Sequence, residues 1–283
     1  MSNKFTKEQW LTATPSEFYL GTEEMTIPAG EQLISQSGLI EGLTNEKKKV
    51  LDIGAGLGQV TSSILNDTKN RKPTMSQLEI TVGEIDDSLL KELNNRKEER
   101  KWDLVKVEKT NAISINKPND TFDFIYANFL YFLLQDPIKG LRESIRVLKS
   151  GGKLSFSTWS YSGPFHLIQH AIALLPYYPL LPPSPTPGGQ WTHPEYLRQI
   201  LQEEGMTEIE INPYEFIQTA LNTEDMARKM HHVVKIVTNS WGIEQQELGW
   251  KVFEKIEELL RRNQGDGEVK ITSVALIITA KKP

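Results

Sequence analysis

Short apolar runs alternate with amphipathic stretches along the first 160 residues of the chain. The apolar runs have the length and composition of β-strands, and they are Lys49–Ile53, Leu78–Ile85, Leu104–Val107, Phe122–Ala127 and Lys153–Thr158. Between them, apolar residues recur at helical spacing in Gln59–Leu65, Leu89–Arg100 and Pro137–Leu148. The triplet Ser150–Gly152 is predicted to stop the last of these helices. Strands that alternate with helices are typical of an α/β fold with a parallel sheet.

A proline-rich segment, Leu175–Gln190, separates this region from the rest of the chain. After it, a helix is predicted over His193–Glu204, with His193 as its cap. Thr207–Ile211 and the β-branched run Ile271–Ala280 predict two further strands. The sequence therefore predicts seven strands in all.

Two amphipathic helices are predicted between the last two strands, at Thr223–Trp241 and Leu248–Leu260. Their apolar faces either pack on the main core or form a cap over a pocket. Both alternatives stay open at this point, and they overlap.

Composition excludes several classes of function. The 283 residues carry a formal net charge of −5, with a sequence pI of about 5.7, which disfavours nucleic acid as a partner. The absence of cysteine excludes disulfides, thiolate metal sites and a cysteine nucleophile. No apolar stretch approaches the roughly 20 residues that span a bilayer, and the first residues lack a signal-peptide run. We therefore expect a cytoplasmic protein without a membrane span, and we predict no particular oligomeric state.

A glycine-rich turn stands between the first predicted strand and the first predicted helix. It reads Val50-Leu51-Asp52-Ile53-Gly54-Ala55-Gly56-Leu57-Gly58. Glycines there allow a ligand to approach the backbone, and the helix that follows points free N–H groups toward it. The spacing is GxGxG, whereas dinucleotide enzymes use GxGxxG. Asp52 within the motif favours a ligand with a cationic amino group over a pyrophosphate.

The segment VLDIGAGLG resembles motif I of class I S-adenosylmethionine-dependent methyltransferases, and the order of elements is similar to theirs from about residue 45 to 160. The resemblance is to the members that act in ubiquinone biosynthesis and small-molecule secondary metabolism. It implies that S-adenosylmethionine is the cofactor and that Asp52, Gly54, Ala55 and Gly56 lie along its methionine part.

The second predicted strand supplies the acid that this resemblance assigns to the ribose hydroxyls. We assign Glu84 to this role, with Ile85 beside it at the cofactor. Asp86 is the competing candidate, and its alternative role is to cap the helix that follows. The spacing from Gly54 to Glu84 is long, which we attribute to an inserted surface loop at Asn66–Ser76.

Three further segments carry the resemblance. Asn111-Ala112 takes the place of the acidic and small residues that contact adenine, and an asparagine oxygen can still accept from the adenine amine. The segment RVLKSGG, residues 146–152, is similar to the family's RVLKPGG. The methionine amine and the reacting methyl are expected to border Ala127, Asn128 and Phe129. Tyr19, from the N-terminal arm, completes the predicted cofactor residues.

The resemblance implies a Rossmann-like, seven-stranded, mostly parallel sheet with helices on both faces, an antiparallel last strand and a helical cap. We expect one domain over residues 1–283. Its predicted parts are an N-terminal helical arm or lid (1–44), a cofactor-binding core (45–160), two cap insertions (161–192 and 213–265) and two segments that complete the sheet (193–212 and 266–283).

The predicted chemistry is methyl transfer by in-line displacement, in which a general base helps where the acceptor must lose a proton. His166 and His170 lie four residues apart on a predicted helix and hence on one face. They are our candidate catalytic residues. The pair could instead be a metal half-site or simply an exposed pair, and we predict no metal.

Aromatic residues are concentrated where the mouth of the site is expected. They are Trp10, Phe18, Tyr19, Trp159, Tyr161, Phe165, Tyr177, Tyr178 and Trp191. Such residues build apolar pockets, although they also fill ordinary cores. They lead us to expect a small, largely apolar acceptor.

Two other functional classes compete with methyl transfer. A dinucleotide-dependent oxidoreductase would use the same crevice, but Gln59 stands where its last glycine is required. A methyltransferase fold that binds the cofactor yet catalyses a non-methylating rearrangement, or none, stays open, because a cofactor site alone does not prove methyl transfer.

Overall fold

A seven-stranded sheet organises the part of the protein that the computed structural model describes, which is residues 23–43, 46–69, 78–175, 189–238, 241 and 243–283. The strand order is β3-β2-β1-β4-β5-β7-β6. The strands are β1 (Lys48–Ile53), β2 (Leu78–Glu84), β3 (Val105–Lys109), β4 (Phe122–Ala127), β5 (Leu148–Ser162), β6 (Thr207–Ala220) and β7 (Val269–Lys281).

Eight α-helices accompany these strands within the described residues. They are α1 (Glu23–Ser37), α2 (Gln59–Lys69), α3 (Asp87–Arg100), α4 (Pro137–Val147), α5 (Gly163–Ala173), α6 (Pro194–Glu203), α7 (Thr223–Thr238) and α8 (Ile243–Gln264). None of the described helices is both long and apolar enough to cross a membrane.

Strands β1 to β5 are parallel, and β7 is antiparallel to its neighbours. Residue pairing is parallel between β1 and β2, β1 and β4, β2 and β3, and β4 and β5. Near the start of β5, Gly151 N donates to Lys282 O and Lys282 N donates to Gly152 O. These bonds join β5 to the end of the chain. The predicted fold class, a Rossmann-like and mostly parallel sheet with an antiparallel last strand, is confirmed.

The two central strands explain where the ligand crevice falls. Four consecutive residues of β1 and five of β2 are buried, as expected for parallel strands covered on both faces. The strand order reverses between β1 and β4, and open α/β sheets bind ligands at such a switch point, beyond the carboxyl ends of the strands. The glycine turn after β1 lies at this point.

The described residues form two compact units. The sheet unit contains the described residues of 26–160, 189–214 and 274–283, and the helical unit contains those of 23–25, 161–175 and 215–273. Each has its own apolar core: side chains of β1, β4, β5 and α4 meet in the sheet unit, and side chains of α5, α7 and α8 meet in the helical unit. The domain boundaries and the cap expected from the sequence stay predictions.

Two strands are longer than predicted. Strand β5 begins at Leu148, so the Ser150–Gly152 triplet lies inside the strand and does not stop α4. A side chain on Gly152 would come within 2.9 Å of Asp123 O, so close backbone packing requires this glycine. Strand β6 continues through Pro213 to Ala220, because β6 is at the edge of the described sheet and an edge strand tolerates proline.

Two smaller expectations are also corrected. Helix α2 runs to Lys69, so the first residues of the expected loop at Asn66–Ser76 are helical, while residues 70–77 lie outside the described part. His193 occupies the cap position of α6, but its side chain makes no capping hydrogen bond.

Helix α1 is fastened to the sheet by hydrogen bonds at its last turn. Gln36 Nε2 donates to Ile277 O at 3.2 Å, and Lys153 Nζ donates to Ser37 O at 3.0 Å. Ser37 Oγ lies 2.6 Å from Tyr126 Oη on β4 and donates its own hydrogen to Ile34 O. The tyrosine hydroxyl is therefore the donor in this pair.

We expect Ser37→Ala to destabilise the protein more than Tyr126→Phe does. Ser37→Ala leaves a buried tyrosine hydroxyl without its acceptor, which costs about 1–3 kcal/mol, whereas Tyr126→Phe removes a single hydrogen bond of about 1 kcal/mol. Because the double variant has no orphaned hydroxyl, it should be more stable than Ser37→Ala alone. Urea unfolding of the four proteins measures this, and simple additivity of the two single effects would contradict it.

Candidate cofactor site

The glycine turn between β1 and α2 uses backbone conformations that glycine alone adopts readily. Gly54, Gly56 and Gly58 have φ values of 64°, 58° and 76°. Gly54 N and Ala55 N both donate to Gly83 O, at 2.8 and 3.2 Å, which ties the turn to β2. The turn is thus held in shape by its neighbour strand.

Packing adds a second reason for two of these glycines. A Cβ atom on Gly54 would overlap the Leu130 side chain. One on Gly58 would lie 2.8 Å from Leu93 Cδ1 and 3.2 Å from the Trp102 ring. Larger residues at either position would force these neighbouring side chains to shift, besides straining the left-handed backbone.

Glu84, the last residue of β2, holds the turn from the other side. Its Oε2 accepts from Gly56 N at 2.9 Å, and its Oε1 accepts from Ile85 N at 2.7 Å and Asp86 N at 3.1 Å. The residue is only 7% exposed, whereas the apolar side chain of Ile85 beside it is 54% exposed. A buried carboxylate therefore lies against the glycine turn, with an exposed apolar side chain next to it.

Asp86 serves the following helix. Its carboxylate accepts from Ser88 N at 2.9 Å and Leu89 N at 3.0 Å, as the N-cap of α3. The Ser88 hydroxyl and these N–H groups hold the pKa of Asp86 below its usual value. The capping role is confirmed for Asp86, which leaves Glu84 as the acid at the turn.

Asp52 is buried within β1, where it pairs in register with Val82 and Tyr126. Its Oδ2 accepts from Thr61 N at 3.1 Å and Thr61 Oγ1 at 2.7 Å. Burial raises the pKa of Asp52 to about 6; the Thr61 bonds oppose that rise and repulsion from Glu84 adds to it. The protein keeps this acid at a cost that a cation bound nearby would offset.

The end of β3 lies beside the end of β2. Thr110 N donates to Glu84 O at 2.8 Å, so Asn111 and Ala112 follow β3 at the same edge of the sheet. Asn111 is exposed, and its Oδ1 accepts from Ile113 N at 3.1 Å, which leaves one lone pair of that oxygen for a further donor. Ala112 is buried.

Beyond β4, Phe129 has a φ of 52°, a conformation that costs a bulky residue about 1–3 kcal/mol. Phe129 N donates to Ser157 Oγ at 2.9 Å. The Phe129 ring stacks on Trp159 of β5, with 4.0 Å between the ring centroids. Asn128 and the buried Ala127 precede it. Sequence reasoning missed Ser157, because a single serine in a strand carries no pattern.

The candidate bases His166 and His170 lie in α5 of the helical unit, and both are exposed. His166 Nδ1 is 2.8 Å from Ser162 O, and its ring stacks on Tyr161. Since a carbonyl oxygen only accepts, Nδ1 carries the hydrogen and Nε2 has the lone pair in the neutral ring. The described residues contain no group of three metal-ligating side chains, so the pair has no third ligand there.

The described members of the predicted aromatic cluster divide into three groups. Trp159 contacts Phe129, whereas Phe165 and Trp191 are buried in the two cores, where the core interpretation is correct. Tyr161 is exposed beside His166. The remaining members lie outside the described residues, namely Trp10, Phe18, Tyr19, Tyr177 and Tyr178.

The doubly wound sheet, with a GxGxG turn and an acid at the end of β2, defines the class I S-adenosylmethionine-dependent methyltransferases. Residues 32–211, more than half of the chain, match the family model described as a methyltransferase domain, and the chain belongs to this family. It is an enzyme that transfers methyl groups.

Named relatives agree with this family, and solved structures share its fold. The chain is similar to methyltransferase tpcH of Aspergillus fumigatus, with 23% identity over 89% of this chain and 91% of the relative. It is also similar to methyltransferase ktnA of Aspergillus niger, with 24% identity over 95% of each chain. Among solved structures, the [4+2]-cyclase SpnF has a TM-score of 0.52 at 17% identity, over 91% of this chain and 81% of that one.

S-adenosylmethionine is the cofactor of this enzyme, and it supplies an activated methyl group on a sulfonium. The residues present suit it. Between the three left-handed glycines the turn has only two side chains, Ala55 and Leu57, and both are buried. Two buried carboxylates, Asp52 and Glu84, stand beside that turn. This is a polar cradle for a ligand with hydroxyls and a cationic amine.

We expect Asp52→Asn to stabilise the ligand-free protein at pH 7.5. The folded-state pKa of about 6 lies above the unfolded value of 3.8, so the folded protein binds a proton more tightly. The resulting stabilisation is present below about pH 4 and is lost as pH rises through about 6. Removing the charge should raise the free energy of unfolding by up to about 3 kcal/mol above pH 6 and by little at pH 4. Urea unfolding at the two pH values measures the difference.

Asp123→Asn is the matched control. Asp123 is also a strand carboxylate, but it accepts from Lys49 N and from the Lys149 ammonium, both at under 3 Å. Its loss should lower stability at pH 7.5. Destabilisation of both variants at pH 7.5 would contradict the prediction that the charge of Asp52 lowers the stability of the ligand-free protein.

Proposed function

We propose that this enzyme transfers the methyl group of S-adenosylmethionine to a small, largely apolar metabolite by in-line displacement. The main support for the proposed cofactor site is the 2.9 Å hydrogen bond from Gly56 N to Glu84 Oε2, which brings the β2 acid onto the glycine turn. The proposed cofactor residues are Asp52, Gly54, Ala55, Gly56, Glu84, Ile85, Asn111, Ala112, Ala127, Asn128, Phe129 and Tyr19.

The proposed roles follow from the chemistry of each group. Glu84 keeps one lone pair on Oε2 beside its three backbone hydrogen bonds, and with it accepts from a ribose hydroxyl. The exposed side chain of Ile85 offers an apolar contact for the adenine ring. Asp52 favours the cationic amine electrostatically. These residues hold the cofactor, and orientation is the main requirement of an in-line displacement with a neutral leaving group.

Two observations support a small, apolar acceptor. The buried Phe129 ring stacks on the half-buried Trp159, so the residues proposed to border the reacting methyl have an aromatic environment. The net charge of −5 disfavours a polyanionic acceptor such as nucleic acid.

The general base stays a prediction. His166 is the better supported of the two candidates, because its bond to Ser162 O leaves Nε2 able to accept a proton. His170 is exposed in the last turn of α5. If either acts as a base, its replacement by glutamine should lower kcat by about 10²-fold or more without changing cofactor affinity.

We expect Glu84→Gln to weaken the binding of S-adenosylhomocysteine about ten- to a hundredfold. A ribose hydroxyl that donates to this carboxylate forms a charge-assisted hydrogen bond, worth about 1.5–3 kcal/mol, and glutamine places an NH2 group, which cannot accept, where one carboxylate oxygen stood. Isothermal titration measures the dissociation constant. Asp86→Asn is the matched control, and it should change binding by less than about twofold, because Asp86 caps α3.

A larger loss for Asp86→Asn than for Glu84→Gln would contradict the assignment of Glu84. Equal losses would mean that the two acids share the ribose. Circular dichroism of both variants ensures that the comparison concerns folded protein.

For the reaction, we expect label from methyl-labelled S-adenosylmethionine to appear in a low-mass, solvent-extractable product when the enzyme is incubated with a metabolite extract. Label retained on the cofactor while an extract component is nevertheless converted would favour a non-methylating rearrangement. The fold similarity to a [4+2]-cyclase supports that second candidate, at the level of fold alone. Label in nucleic acid would contradict the proposed acceptor class.

A further inference from the structure

Three hydrogen bonds join α1, β4 and β5 at the turn that follows β4. Phe129 N donates to Ser157 Oγ at 2.9 Å, Ser157 Oγ donates to Asn128 Oδ1 at 2.6 Å, and Asn128 Nδ2 donates to Thr26 O at 3.0 Å. We call these four residues the Ser157 relay. Ser157 is buried at its centre.

The direction of every bond in the relay is determined. Thr26 O can only accept, so the end of the Asn128 amide that faces it is Nδ2 and the end that faces Ser157 is Oδ1. An amide oxygen also only accepts, so the serine hydrogen goes to Asn128 Oδ1, and Phe129 N donates to a lone pair of Ser157 Oγ. Each link therefore sets the orientation of the next, and the Asn128 side chain has one favourable orientation.

What the relay holds is a strained turn. Phe129 has a φ of 52°, which a phenylalanine adopts only where its surroundings impose it. Its backbone is held by Ser157 and its ring by the stack on Trp159. A Cβ atom on Gly30 would lie 3.5 Å from Asn128 Nδ2, so the backbone of α1 also packs closely on the turn.

We propose that Ser157 is a positioning residue for the amino-acid end of the cofactor. It acts through Asn128 and Phe129, whose turn it keeps in the left-handed conformation. The inference rests on the proposed assignment of Ala127, Asn128 and Phe129 to the methionine end of S-adenosylmethionine.

The test compares two ligands that differ at that end. S-adenosylhomocysteine carries the amino-acid part, whereas 5′-methylthioadenosine carries the adenosine part without it. Ser157→Ala leaves Phe129 N and Asn128 Oδ1 without their partner, so the turn can relax. We expect the Kd of S-adenosylhomocysteine to rise about tenfold and that of methylthioadenosine to change by less than about twofold.

Ser155→Ala is the matched control. Ser155 is also a buried serine of β5, and its Oγ lies 3.3 Å from Thr279 Oγ1, away from the turn. Its replacement should leave both dissociation constants within about twofold of the wild type. Ser157→Thr keeps the hydroxyl and should retain tighter binding of S-adenosylhomocysteine than Ser157→Ala does. Ser157→Cys repeats the test with a weak hydrogen-bonding group and without a cavity.

Three results would overturn the proposal: unchanged S-adenosylhomocysteine binding in Ser157→Ala and Ser157→Cys, equal losses of both ligands, or the same selective loss in Ser155→Ala. Failure of the proposed cofactor site would give different binding results from failure of the positioning role. If Glu84→Gln weakens both ligands while the Ser157 variants bind normally, only the positioning role fails. If the wild type binds neither ligand, both proposals fail.

Discussion

The carboxylate of Glu84 is the constraint on which the ligand-facing edge of the sheet depends. It accepts hydrogen bonds from three backbone N–H groups, one in the glycine turn and two just after β2. The glycines of the turn have no side chains with which to hold its shape, so the acid of the neighbouring strand fixes it together with Gly83 O. The same carboxylate is the group proposed to receive the ribose. A ligand would therefore meet a site that is already ordered, which reduces the entropy lost on binding.

Asp52 shows the opposite balance between stability and function. A buried carboxylate with a raised pKa lowers the stability of the ligand-free protein at neutral pH. Local rules of burial would favour an apolar residue at this position of β1, whose neighbours Leu51 and Ile53 are fully apolar and buried. Such a conflict between folding and local chemistry is expected where a protein binds its ligand.

Much of this architecture could be predicted, because β1, β2 and β4 are apolar runs bounded by turn residues and the glycine turn has a distinctive spacing. The start of β5 and the length of β6 could not, because Gly151–Gly152 and Pro213 are ordinarily breaks, and only pairing with β7 and an edge position make them acceptable. The Ser157 relay could not be predicted from the sequence either. Its residues lie on three elements, and their association depends on how β4 and β5 pair.

The two edges of the described sheet bear on how the protein behaves at high concentration. Strand β3 has only five residues, among them Lys106, Glu108 and Lys109, and short charged edges resist pairing with another molecule. Strand β6 is irregular at Glu208, where φ is 46°, and lacks an N–H at Pro213. Beyond that proline β6 continues to Ala220 without a further proline or positive φ, and Ile217 is 55% exposed. Self-association through strand addition would therefore begin at the distal half of β6, well removed in sequence from the glycine turn.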